Sequence, residues 1–109
     1  MGERQRIYNK TNGNCSYCGC HIHTKEMVID HMEPLANGGA DEFENMYPSC
    51  RSCNHRKGTS SLESFRAQVE RFPAVLARDS VTYRNAVRFG LVKPNPKSIV
   101  FCFEKEARK

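Results

Sequence analysis

Apolar residues in this chain come in short bursts, and their spacing changes along its length. Residues 3–12 fit a short helix with Ile7 and Tyr8 turned inward, and Asn12-Gly13 supplies a stop. Met27-Val28-Ile29 is an apolar run leading into Asp30-His31 and predicts a short strand. Pro34 and Asn37-Gly38-Gly39 are turn residues, so residues 32–44 read as a loop of about thirteen residues, a length that usually signals function or disorder. Asn45-Met46-Tyr47 returns as a second short strand. Cys50 then opens a helix running to about Gly58. Ser60-Ser61-Leu62-Glu63 matches a capping box, followed by Leu62, Phe65, Val69 and Phe72 at helical spacing, with a stop near Pro73. Asp79 or Ser80 caps a further helix carrying Tyr83, Ala86 and Val87 and ending at Gly90. Residues 93–97 (KPNPK) look like a linker. In residues 98–104 (SIVFCFE), Ile99, Phe101 and Phe103 alternate, which predicts a C-terminal strand. All these apolar positions are expected in the core.

At 109 residues the chain is expected to form one domain. No run approaches the roughly 18 apolar residues of a bilayer span, and the first ten residues are polar. Neither a membrane segment nor a secretory leader is expected. Hydrophobic residues make up 39% with no Trp, so the core is modest and the six cysteines are the obvious staple. Residues 1–49 hold four Lys/Arg against seven Asp/Glu, a net −3, and residues 50–109 hold thirteen against five, a net +8. An acidic half and a basic half suit a protein that holds a cation in one place and a polyanion in another.

Cys15-x2-Cys18 and Cys50-x2-Cys53 are two C-x2-C pairs, and each can put two thiolates on one tetrahedral ion. Together they make a structural zinc site. Three disulfides or a redox-active thiol pair are the alternatives, but nothing marks the chain as secreted, and one pair would suffice for redox work. Cys20 with His21 and His23 offers a mixed Cys/His set, which two complete pairs leave outside the sphere. Cys102, in the expected strand, is a small buried hydrophobe. The zinc tether would pin the start of the strand–loop–strand unit against the following helix. Asp30-His31 then faces Asn54, which lies about 100° around the helix from metal-bound Cys53.

These residues, in this order, resemble the HNH endonucleases, the zinc-tethered branch of the His-Me finger (ββα-metal) nucleases. The resemblance rests on Cys15-x2-Cys18, Asp30-His31-x2-Pro34, Gly38-Gly39, Asn45 and Cys50-x2-Cys53-Asn54-x2-Lys57-Gly58. It implies an α+β fold with a ββα-metal core at about residues 15–58. A helical and strand extension over about 60–105 would complete the single domain 1–109. It implies His31 as general base, Asp30 as ligand of a catalytic divalent cation, and Asn45 as the residue that orients His31 across the loop. The family's third position is Asn54 here, an amide ligand, with His55 as the runner-up. The cation would be Mg²⁺, with Mn²⁺ or another transition metal as alternatives. Phosphate and water must complete its octahedron, because one carboxylate and one amide bind it weakly. Glu33, Glu42 and Glu44 read as solvated loop charges.

Double-stranded DNA is the implied partner, cut one strand at a time to leave 5′-phosphate and 3′-hydroxyl ends. Arg51, Arg56 and Lys57 would meet backbone phosphates, and Arg66, Arg71, Arg78, Arg84 and Arg88 would extend that surface. The expected state is a monomer or weak dimer in the reducing cytoplasm, with a phage origin fitting the family. Two other readings compete: a non-catalytic zinc module that binds nucleic acid through the basic half, and an interaction protein built on a decayed nuclease frame.

Overall fold

The computed structural model describes residues 2–95 and 97–107, so Pro96 of the expected linker lies outside it. In chain order the elements are helix α1 (Glu3–Tyr8), strands β1 (Val28–His31) and β2 (Met46–Ser49), and helices α2 (Arg51–Lys57), α3 (Leu62–Glu70), α4 (Phe72–Asp79), α5 (Val81–Arg88) and α6 (Cys102–Ala107). They fall into two compact units. One comprises the residues through Phe65 together with those from Val100; the other is Arg66–Ile99.

In the first unit, α1 continues into a 3-10 turn (Asn9–Thr11) and stops where Asn12 and Gly13 take positive φ. Ile7 is its buried residue, as the spacing predicts. β1 and β2 form a two-stranded antiparallel sheet with Asp30 opposite Tyr47 and His31 opposite Met46. The loop between them contains two 3-10 turns, Leu35–Asn37 and Phe43–Asn45. Cys50 caps α2, its thiol accepting from the Cys53 N–H at 3.4 Å. The first cysteine pair makes a similar turn, in which the Tyr17 N–H reaches the Cys15 sulfur at 3.4 Å. That turn is seated on the sheet by the Ser16 N–H, which donates to the Pro48 carbonyl at 2.9 Å.

Tyr17 is the hub of the apolar core. Its ring meets Phe65 and Phe101 edge-on at 5.4 and 5.3 Å, while Phe65 and Phe101 stack at 5.6 Å. Such pairs add about 0.5–1.5 kcal/mol beyond area burial. Ile7, Cys15, Ile22 and Met27 are buried as well.

The expected C-terminal strand is a correction: the segment turns into helix α6 at Cys102. The alternation of Ile99, Phe101 and Phe103 puts Phe101 and Phe103 against Tyr17, but no strand edge receives them. Instead the N–H groups of Cys102 and Phe103, which a first helical turn leaves unpaired, donate to the carbonyls of Tyr17 and Ser16 at 3.2 and 2.8 Å. Glu104 reaches back to the Phe101 N–H at 2.8 Å, half of a capping box. Cys102 is accordingly half-buried in a helix, not buried in a strand.

Helix α3 is capped by Ser61, one residue later than expected, through the Ser64 N–H at 3.2 Å. In the second unit, Pro73 does not end the helical region. It occupies the first turn of α4, where its missing N–H costs nothing. Ser80 caps α5 through the Tyr83 N–H at 3.1 Å. Of the helical apolar residues expected in the core, Phe65 is buried, but Phe72 is exposed and Tyr83, Ala86 and Val87 are only half-buried. Two arginines here serve the unit's own backbone. Arg66 donates to the Ile99 carbonyl at 2.6 Å, and Arg84 donates to the Ala77 and Arg78 carbonyls in the last turn of α4 at 2.7 and 3.1 Å. Arg78 pairs with Asp79.

Candidate active site

The two cysteine turns converge. The sulfurs of Cys15, Cys18, Cys50 and Cys53 all lie within 4.8 Å of one another, with Cys18 and Cys50 at 3.9 Å. Zn–S bonds of about 2.3 Å in a tetrahedron require sulfur separations of about 3.8 Å, so four soft thiolates in this arrangement fit zinc. The Cys53 thiol, donating to Cys15, holds the Cys15 pKa down to about 4 against the opposing effect of burial. The same contact holds the Cys53 thiol well above its usual range. Among the described residues this is the only cluster of three or more potential metal-binding side chains, and Cys20, His21 and His23 are not in it. Burial, followed by the neighbouring Cys18, pushes the Cys20 thiol up to about 12. All six cysteines are free, so the three-disulfide alternative does not hold in this structure.

Asp30 and His31 end β1, and because successive strand residues point to opposite faces they enter different surroundings. Asp30 is 4% exposed. Its Oδ2 accepts from the Tyr17 hydroxyl and pairs with the Lys57 ammonium at 3.4 Å. Its Oδ1 accepts from the Asn54 amide of α2 at 3.3 Å. Burial, reinforced by the Asp30 charge, drives the Tyr17 hydroxyl far above its ordinary pKa, so it remains a donor. Asp30 and Asn54 therefore meet as the tether predicts. The Asp30 carboxylate, and the Asn54 amide if its oxygen turned inward, could offer hard oxygens of the kind a divalent cation takes. His55 lies exposed on the same helix.

Lys57 is a correction. Expected to meet phosphates from an exposed helix face, its side chain is instead fully buried, bonded to Asp30 and, at 3.3 Å, to the His31 carbonyl. A buried carboxylate requires a partner, and Lys57, one turn beyond Asn54, is within reach. Arg51 and Arg56 are exposed.

His31 is half-buried, and its Nε2 stands 2.9 Å from the Asp41 carboxylate. Asn45 makes no hydrogen bond to the His31 side chain. Its side chain accepts from the Glu33 N–H at 2.9 Å and donates to the Glu33 and Ala40 carbonyls at 2.9 and 2.8 Å, cinching the loop. Asp41 and Tyr17 are contacts the sequence did not disclose. Asp41 sits in a stretch without periodicity, and Tyr17 between two zinc ligands reads as ordinary knuckle filler.

The HNH endonuclease family model matches residues 15–60. The chain is 29% identical over 69 residues to the SPbeta prophage-derived protein YoqL of Bacillus subtilis (strain 168), which is named for the HNH endonucleases; the match covers 56% of this chain and 30% of YoqL. It is 33% identical over 58 residues to the CRISPR-associated endonuclease Cas9 of Corynebacterium diphtheriae, covering 52% of this chain and 5% of Cas9. The chain thus spans well under two thirds of either relative. The cysteine tether, the Asp30–Asn54 contact and His31 all fall inside the matched segment, so the similarity to the HNH endonucleases takes in the candidate site within residues 15–60, under half of the chain.

Proposed function

We propose that this chain is a metal-dependent endonuclease that hydrolyses DNA phosphodiester bonds one strand at a time, leaving 5′-phosphate and 3′-hydroxyl ends. The observation that carries the reading is the 3.3 Å contact between Asp30 and Asn54, one residue before His31, inside an HNH-family segment. Asp30 and Asn54 would hold a divalent cation, Mg²⁺ or Mn²⁺, and the four cysteines a structural zinc. When bound, the divalent ion supplies a Lewis acid for the phosphoryl oxygen and the leaving 3′-oxygen.

The chain's own groups do the rest. His31, as neutral imidazole, takes a proton from the attacking water. Lys57 and Tyr17 hold the Asp30 Oδ2, which leaves Oδ1 as the oxygen turned toward Asn54. Asn45 fixes the loop around His31, and Arg51 and Arg56 contact phosphates. No helix among the described residues is long and apolar enough to cross a membrane. Zinc thiolates require a reducing compartment, so the cytoplasm is the proposed location, and one site per chain suits a monomer that nicks.

Supercoiled plasmid incubated with Mg²⁺ or Mn²⁺ tests this. Open circles should accumulate first, and His31→Ala should lower the rate by at least about a hundredfold. Equal cutting by His31→Ala would remove His31 from the mechanism. Salt-sensitive DNA binding without cutting under either ion would make the chain a zinc-stabilised nucleic-acid-binding module instead.

A further inference from the structure

We propose that Asp41 is the positioning residue of His31, selecting its tautomer and aiming one ring nitrogen at the water. This rests on His31 being the base. A neutral imidazole carries one N–H, and a carboxylate only accepts. With Asp41 Oδ1 at 2.9 Å from Nε2, the proton belongs on Nε2 and the lone pair on Nδ1. Nδ1 is then the atom that receives the water's proton, and the imidazolium so formed carries its positive charge beside the Asp41 carboxylate until the proton passes to solvent.

The loop is built to deliver this contact. Asp41 is 72% exposed and belongs to no helix or strand, so its own packing does not hold it. Asn45 supplies the hold. It clips Glu33, two residues after His31, to Ala40, one residue before Asp41, while its carbonyl accepts from the Met32 N–H at 2.9 Å. The two chain segments that carry the base and its carboxylate are thereby fastened on either side of one amide. Asn45 thus acts on His31 through Asp41, although it makes no bond to the imidazole.

The test compares full-length wild type with Asp41→Ala and Asp41→Asn. Asp41→Ala should lower kcat roughly ten- to hundredfold, by analogy with the loss when the carboxylate partner that orients a metal-ligating histidine is removed. Zinc content should stay unchanged, because Asp41 is not part of the cysteine cluster, and a residue acting through the His31 ring should move kcat rather than KM. Asp41→Asn keeps an acceptor oxygen without the charge and should fall between. In ¹⁵N-histidine-labelled protein, His31 should show a protonated Nε2 and a bare Nδ1, and the Nε2–H signal should vanish in Asp41→Ala. An unchanged kcat, or an Nε2–H signal that survives Asp41→Ala, overturns the assignment. A wild type that never nicks overturns the nuclease reading instead, equal nicking by His31→Ala removes the base on which the proposal rests, and in both cases the spectra still decide whether Asp41 holds the ring.

Discussion

A methyl group at Gly39 would lie 2.7 Å from the Glu33 carbonyl carbon and 2.9 Å from the Pro34 oxygen, inside the turn that brings Asp41 toward His31. At Gly38 the space is open, but φ is +88°, a conformation that side chains disfavour. Two adjacent glycines therefore answer two different demands, one for volume and one for backbone sign. Gly38→Ala should cost about 1 kcal/mol. Gly39→Ala should cost more, about 3 kcal/mol, because backbone rather than a flexible side chain must move. Thermal denaturation of the two variants would check this, and equal losses would mean the loop yields at Gly39. The same scale explains why Lys57 left the DNA-facing set. Its ammonium is the nearest cation able to compensate a carboxylate that is 4% exposed, and removing either partner strands the other.

Among the elements, α6 is the one whose type the residue pattern misstates. Three apolar residues at alternate positions fit a strand, and two of them do share the Tyr17 surface. What decides the conformation is the supply of backbone partners. The Tyr17 and Ser16 carbonyls, together with the Glu104 carboxylate, take up N–H groups that a starting helix leaves free. Glu104→Ala should therefore destabilise the first unit by about 1 kcal/mol. Chemical denaturation would read this as a lower midpoint at unchanged slope. A null effect would show that Phe101 and Phe103 packing alone holds α6. Pro73 teaches the complementary lesson. A proline ends one helix and serves as well in the first turn of the next, and α4 follows α3 after one residue.

At the scale of the whole molecule, buried apolar side chains are few among the described residues of the first unit, and Cys15 is one of them. Its cohesion depends on joining residues 15–18 to residues 50–53 through the sulfur cluster. A structural zinc supplies about 10–16 kcal/mol in small metal-stabilised folds, comparable to or above the entire stability of a domain, about 5–15 kcal/mol. Purified protein should contain one zinc per chain by elemental analysis. Prolonged chelation should abolish the cooperative unfolding of this unit, followed by circular dichroism. An unchanged melting curve after zinc removal would show that the aromatic cluster around Tyr17 suffices. Cys53→Ala should behave like chelation.

The linear order of residues was enough to disclose the cysteine tether, β1 and β2, α1, α2 and α5, and the pairing of Asp30 with Asn54. Each depends on short-range spacing or on a ligand count that one ion imposes. Three things waited for the folded chain: the burial of Lys57, the carboxylate of Asp41 against His31, and the helical end at Cys102. All three hinge on which polar groups meet across long stretches of sequence, from 10 residues between His31 and Asp41, through 26 between Lys57 and His31, to 85 between Tyr17 and Cys102. Local pattern states what a residue prefers, but a buried charge or an unpaired N–H takes whichever partner packing brings within reach, because leaving it unmatched costs more than any local preference.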